Sequence, residues 1–185
     1  NPLSSTYGCF DRNFWHFKTI IDFPSASYQQ AILGLAVLYH NSNGDNHLQN
    51  DQTIRNSIKS GLLYWCRIQN KDGSFNEYYQ NDRSFCPTAF TTYAAAKTFY
   101  LCSGIFSGSE QSFIETAISK SGNWLAKHSF PEVQNQMIAS MNALFYASQI
   151  LGDKILKEAF AKRKNEVLSA QDKEGWFPEY NGADI

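Results

Sequence analysis

The chain has 185 residues, of which 43% are hydrophobic and 15% aromatic, enough to bury a core and to exclude a disordered or collagen-like polymer. Its formal net charge of -1 offers no electrostatic footprint for a nucleic-acid backbone, so nucleic acid is not an expected partner. No apolar stretch reaches the roughly 18 to 20 residues that span a bilayer, and no basic-then-apolar leader opens the chain. The start at Asn1-Pro2, without a methionine, is compatible with removal of an upstream segment.

Seven segments carry helical signals, separated by clusters of glycine, serine, asparagine or proline. The first, Arg12 to Ile21, is short. Ala26 to Tyr39 follows Pro24 and a Ser27-x-x-Gln30 capping box, and its stretch Ala31 to Leu38 is apolar all round, which predicts an enclosed helix. Asp51 to Arg67 instead places Ile54, Ile58, Leu62 and Trp65 on one face, with Arg55 and Lys59 elsewhere. The alternation then repeats. Thr88 to Cys102 is apolar nearly all round, while Glu110 to Lys127 is amphipathic through Phe113, Ile114, Ala117, Ile118 and Leu125. Glu132 to Leu151 is again the richer in apolar residues, and Lys154 to Ser169 is again amphipathic, its Lys162-Arg163-Lys164 run expected on a solvated face. Alternation of enclosed and one-sided helices predicts an inner layer (Ala26 to Tyr39, Thr88 to Cys102, Glu132 to Leu151) covered by an outer one. Cys9, Cys66, Cys86 and Cys102 lack Cys-x-x-Cys spacing, and two fall in apolar helical stretches, which favours reduced thiols and a cytoplasmic location.

A second periodicity is sharper. Gln69-Asn70-Lys71-Asp72-Gly73-Ser74-Phe75-Asn76-Glu77-Tyr78 returns 102 residues later as Gln171-Asp172-Lys173-Glu174-Gly175-Trp176-Phe177-Pro178-Glu179-Tyr180. Both read Gln-x-Lys-acid-Gly-x-Phe-x-Glu-Tyr, and each follows the end of an expected outer helix. Trp124 to Gln134 occupies the junction between them but lacks the glycine and the Glu-Tyr pair.

A helix bearing tryptophan and leucine, ending in glutamine and followed by Gly-x-aromatic, resembles the QW repeat of the terpenoid cyclase and prenyltransferase α/α toroids. Gly61-Leu62-Leu63-Tyr64-Trp65, Gln69 and Gly73-Ser74-Phe75 carry the likeness, with Phe75 where the family usually has tryptophan. The resemblance extends in periodicity from Ile54 to the C-terminus. It implies an all-α fold in which consecutive helical hairpins form about half of an α/α toroid, residues 1–185 being one incomplete domain. It also implies that Gln69 and Gln171 cap helix ends beneath a stacked ring. A closed ring of six hairpins needs about twelve helices, so the remainder of the same chain beyond Ile185 is an expected partner. The family's Asp-x-Asp-Asp acid, its Asp-Asp-x-x-Asp cluster and its zinc-binding Asp, Cys and His set are absent, and fold likeness does not by itself confer activity. Toroids also serve polysaccharide lyases and glycosidases, which widens the expected ligands to glycans.

Two stretches concentrate chemistry. In the loop Phe75 to Phe85, Glu77 and Tyr78 are candidate catalytic groups, a glutamate beside tyrosines being able to act as general acid or base on a sugar, with Tyr79 and Arg83 as substrate contacts. The bland alternative makes Glu77 a helix cap or a partner of Arg83, and the Glu-Tyr pair a repeated corner. In the N-terminal stretch Tyr7 to Lys18, Asp11, Arg12 and Trp15 are candidates to orient a ligand, and His16 is a candidate catalytic group that titrates near neutral pH, or else a hydrogen-bonded core histidine. His40, His47 and His128 stand singly and Cys9 with His16 is no known ligand pair, so neither a metal nor a cofactor is expected. The leading expectation is a glycan-handling protein, lyase-, hydrolase- or epimerase-like. An isoprenoid-binding or cyclase-like protein and a non-enzymatic helical scaffold stand as alternatives.

Overall fold

The computed structural model describes the chain apart from residues 18–21, 42–45, 181 and 184–185, and apart from the side chains of His16, Phe17 and Ala183. The described residues form seven α-helices: α1 Arg12–Phe17, α2 Ala31–His40, α3 Gln52–Arg67, α4 Phe85–Cys102, α5 Gly108–Lys127, α6 Gln134–Leu151 and α7 Lys154–Ala170. Their ends are written in the sequence. Asp51 accepts from the Ile54 amide at 2.9 Å to start α3, and Asp153 accepts from Ile155 and Leu156 to start α7. Glu110 reaches back to the Ser107 amide at 2.8 Å to start α5. Gly152, at φ 61°, closes α6 in the left-handed conformation that glycine adopts without strain.

The helices stand in two rows. α4 packs against α2 on one side and α6 on the other; α3, α5 and α7 form the second row, α5 touching both its neighbours, and each lies against the first. Between the rows lies the core of Ile58, Leu62, Trp65, Phe75, Ile114, Ile118, Leu125, Leu144 and Leu156, all fully buried. Trp65 stacks on Phe75 with ring centroids 5.0 Å apart and donates its indole N–H to the Thr91 hydroxyl at 2.9 Å. Two-layer packing thus follows from the alternation of patterns along the chain.

Several expectations change in the folded molecule. The second helical segment begins as a 3-10 turn over Ala26–Gln30, and Gln30 bonds the Ser27 carbonyl instead of completing a capping box. α2 is not enclosed: Val37 and Leu38 remain 45% and 41% exposed, because among the described residues α2 ends its row and has a helix of that row on one side alone. α4 begins three residues earlier than Thr88, since Pro87 sits in the first turn, where its missing N–H has no intrahelical partner to lose. Polypeptide after α7 forms a two-residue antiparallel pair, β1 Pro178–Glu179 with β2 Gly182–Ala183, where no strand is predicted. The Arg12 to Ile21 segment is helical as far as Phe17, and its remainder lies outside the described residues.

Arg163 is the sharpest correction. It is 5% exposed, not solvated. Its guanidinium donates to the Leu125 and His128 carbonyls at 3.2 and 2.7 Å and to the Ser140 hydroxyl, and pairs with Glu166 at 3.0 Å. One side chain therefore satisfies the open C-terminal end of α5 and binds α7 to it, at the very junction where the repeated motif lacks its glycine.

Two substitutions measure these contacts. Leu144→Ala should lower unfolding free energy by about 2 to 5 kcal/mol in a denaturant titration, as a buried leucine in a filled core does. Arg163→Met should cost about 2 to 3 kcal/mol, because the Leu125 and His128 carbonyls lose a charged donor, whereas Lys162→Met beside it should change stability by less than about 0.5 kcal/mol.

Candidate functional site

The loop that carries Glu77 and Tyr78 is fixed from below by the turn after α3. Gly73 has φ +98°, and its backbone lies so close to α5 that a Cβ there would run into the Lys120 carbonyl. Gln69 locks this approach, donating to the Ala117 carbonyl at 2.9 Å and the Ser121 hydroxyl at 2.6 Å. Phe75, seated under Trp65, gives its amide to the Thr88 hydroxyl and its carbonyl to the Ser84 amide, both at 2.9 Å. The loop between must then turn back on itself. Asp82 closes it by accepting from the amides of Glu77, Tyr78 and Tyr79, at 3.0 to 3.4 Å. Asn81 and Arg83 take positive φ values of 65° and 50°, strain that these bonds hold in place.

Thus positioned, Glu77 accepts from the hydroxyl of Ser84, the N-cap of α4, at 2.9 Å. The neighbouring backbone reaches the start of the other arm, the Asn76 carbonyl accepting from Ala26 at 3.3 Å. Asp11 faces the same space. Buried, it accepts from the Asn13 and Phe14 amides to start α1 and from Ser25 at 2.9 Å to tie the N-terminal stretch to the approach to α2. Between these pieces opens a cleft of about 490 Å³ lined by Asp11, Asn13, Asp22, Phe23, Ser25, Tyr28, Glu77 and Tyr78. Its chemistry is two tyrosine rings, a phenylalanine and three carboxylates. The charge of Glu77 raises the Tyr78 phenol. Burial, and after it Glu77, pushes the Cys86 thiol up to about 12.

The structure thus gathers Asp11, Glu77 and Tyr78, from opposite ends of the candidate set, and leaves others elsewhere. Arg12 and Trp15 are exposed on α1 and Tyr79 on the loop, none of them lining the cleft. The His16 side chain lies outside the described residues. Arg83 pairs with Asp72 at 3.5 Å, not with Glu77, and lines a separate cleft of about 480 Å³ with Asn123, Trp124, Lys127 and His128. Glu179 serves as a cap, accepting from the Asn135 amide of α6 at 2.7 Å. Sequence reasoning missed Asp22, Tyr28 and Asp82. Asp82 alone had a local signal, an acidic residue three to five positions after the amides it collects; Asp22 and Tyr28 reach the cleft through tertiary packing. Among the described residues no three His, Cys, Asp or Glu side chains are grouped to hold a metal ion.

The thiols supply a pH test. Cys66 is pushed up to about 12 and Cys102 to about 11, chiefly by burial, as is Cys86. Ionisation is thereby harder in the folded chain, so this contribution to stability is complete below the ordinary thiol value of 9.0 and fades as pH rises from there toward 12. Alkylation of Cys86 by iodoacetamide at pH 8 should be slow, and Glu77→Gln should speed it by removing a neighbouring negative charge. An unchanged rate would separate the two groups. Comparison of the chain with family models, with curated proteins and with solved structures finds no match.

Proposed function

We propose that the protein is a glycan-handling member of the α/α toroid architecture, holding a sugar in the cleft between Asp11 and Glu77. Glu77 is the acid or base of a lyase-, hydrolase- or epimerase-like reaction. One observation carries the reading: Asp11, Asp22 and Glu77 share a single cleft with the rings of Tyr28 and Tyr78. Carboxylates accept the hydroxyls around a sugar ring, and tyrosine faces cover its C–H surface, the pairing of polar handles with apolar walls that small-ligand sites use. The cleft's volume falls in the roughly 300 to 1,000 Å³ usual for such sites.

Within this reading the residues divide their work. Tyr28 and Tyr78 stack on the ring. Asp11, accepting from three backbone amides, shapes the wall, and Asp82 holds the amides of residues 77 to 79 so that Glu77 meets the ligand in one orientation. The Ser84 hydroxyl bonded to Glu77 steadies its carboxylate while a proton moves to or from it.

An apolar groove of about 340 Å³ between α2, α4 and α6, lined by Leu33, Phe90, Tyr93, Ala94, Ile138 and Ala139 among others, favours the second reading, an isoprenoid ligand. The two separate in one experiment. A panel of neutral and acidic oligosaccharides and a prenyl alcohol are titrated into the protein. On the glycan reading an oligosaccharide binds, Tyr78→Ala weakens it about tenfold, and Glu77→Gln abolishes turnover with little change in melting temperature. If the prenyl alcohol alone binds, and Leu33→Asp removes it, the second reading holds. If Glu77→Gln and Glu179→Gln lower the melting temperature alike and no sugar binds, both glutamates are corners of the repeat and the cleft is not a site.

A further inference from the structure

Three turns in this chain share Gly-x-Phe with a left-handed glycine: Gly8-Cys9-Phe10 at φ +92°, Gly73-Ser74-Phe75 at +98° and Gly175-Trp176-Phe177 at +96°. The first two are pressed onto second-row helices at the same sequence, Lys59-Ser60-Gly61 of α3 and Lys120-Ser121-Gly122 of α5. A Cβ on Gly8 would run into the Ser60 carbonyl, and one on Gly73 into the Lys120 carbonyl. Each contact is locked by a glutamine amide, Gln29 donating to the Gly61 carbonyl at 2.9 Å and Gln69 to Ala117 and Ser121.

The third turn has the same internal build. Asp172 donates to the Trp176 carbonyl and Gly175 to the Asp172 carbonyl, both at 2.8 Å, as Asn70 does to Ser74 and Gly73 to Asn70. Gln171 bonds the Gly175 carbonyl at 2.9 Å, as Gln69 bonds Gly73. What differs is the far side. Among the described residues a Cβ on Gly175 would meet nothing within 4 Å, and the bonds by which Gln69 reaches α5 have no counterpart at Gln171. A separate observation agrees. At the positions of buried Cys66 and Ser74 the second copy carries the larger apolar residues Leu168 and Trp176, which stand 54% and 40% exposed.

We propose that Gln171 to Phe177, with Leu168, is a helix-docking socket whose occupant is the second-row helix of a further hairpin of the same polypeptide. The occupied sockets define the occupant. It presents a serine and the backbone beside it to the turn, packed so closely that the turn admits nothing larger than glycine. Fifty-two residues separate Gly8 from Ser60 and forty-seven separate Gly73 from Lys120, so the serine that fills this socket lies about 50 residues after Gly175. The helices here cannot fill it from a second copy without vacating their own turns, because Ser60 and Ser121 are already engaged.

A stapled helical peptide of the sequence Gln111 to Lys127 stands in for the occupant. Added to the intact chain, it should shift the backbone amide resonances of residues 168 to 177 saturably, with binding weakened about tenfold by Gln171→Ala and lost with Gly175→Val. The Gly175 variant should keep the circular dichroism of the parent, since its turn lies outside the core. A peptide in which Ser121 is replaced by Leu should not bind. The proposal is overturned if the shifts fall instead at residues 69 to 75, where the peptide would be displacing α5. It is overturned equally if neither variant weakens binding, if no binding occurs, or if the chain alone forms a dimer that Gly175→Val dissolves, which would make a second copy the occupant.

Discussion

Backbone pressed on backbone organises this molecule. At Gly8 and Gly73 a turn lies against the main chain of a second-row helix at a distance that leaves no room for a Cβ, and at a φ that disfavours one. Close approach of this kind would leave carbonyls without partners, so a side-chain amide enters each contact: Gln29 at the first, Gln69 at the second. Each such bond is worth only about 1 kcal/mol net, but leaving one unmade costs more, and that asymmetry makes the arrangement specific. Where the glycine is missing, between α5 and α6, a guanidinium does the same work. Arg163 reaches from the next helix to the same kind of carbonyl end.

The cleft inherits its order from these contacts. The loop carrying Glu77 and Tyr78 leaves a turn clamped onto α5 and enters α4 through Ser84, so both its ends are set by buried structure. Asp82 then gathers three successive amides, and two residues accept left-handed backbone to make the reversal. Strain held by surrounding bonds in a loop between rigid elements is the usual setting of a residue that must be presented in one orientation. The opposite wall is fixed as firmly, because Asp11 spends its carboxylate on the amides that begin α1 and on Ser25.

The repeat itself has divided its labour. Glu77 and Glu179 stand at the same position of the motif, and each lies at the N-terminus of a first-row helix, where negative charge is favourable. Glu179 goes to the Asn135 amide of α6, and β1 bridges to Val133 beside it. Glu77 goes to a side-chain hydroxyl at the edge of an open cleft, in contact with Tyr78 and Cys86. The same sequence thus makes a closed corner in one copy and an accessible carboxylate in the other.

Helix content, the alternation of enclosed and one-sided helices and the 102-residue repeat are all local in origin. They depend on spacing within a few residues, or on likeness between two segments, and so they are legible in the chain. Half of the candidate site is legible for the same reason, since Glu77, Tyr78 and Asp11 stand in stretches dense with ionisable and aromatic groups. Their union in one cleft is not, because Asp22 and Tyr28 join them only when the approach to α2 packs beside the α3–α4 loop. Arg163 shows the limit most clearly. A cation between two lysines on an amphipathic helix looks solvated, and only the nearby end of α5, whose carbonyls need donors, makes its burial favourable. α2 errs the other way: its apolar circumference asks for neighbours, and the row supplies one on a single side. The sequence by itself determined what each segment could become; which charge is buried and which apolar face stays bare was decided by neighbours tens of residues away, through the partners they supply or withhold.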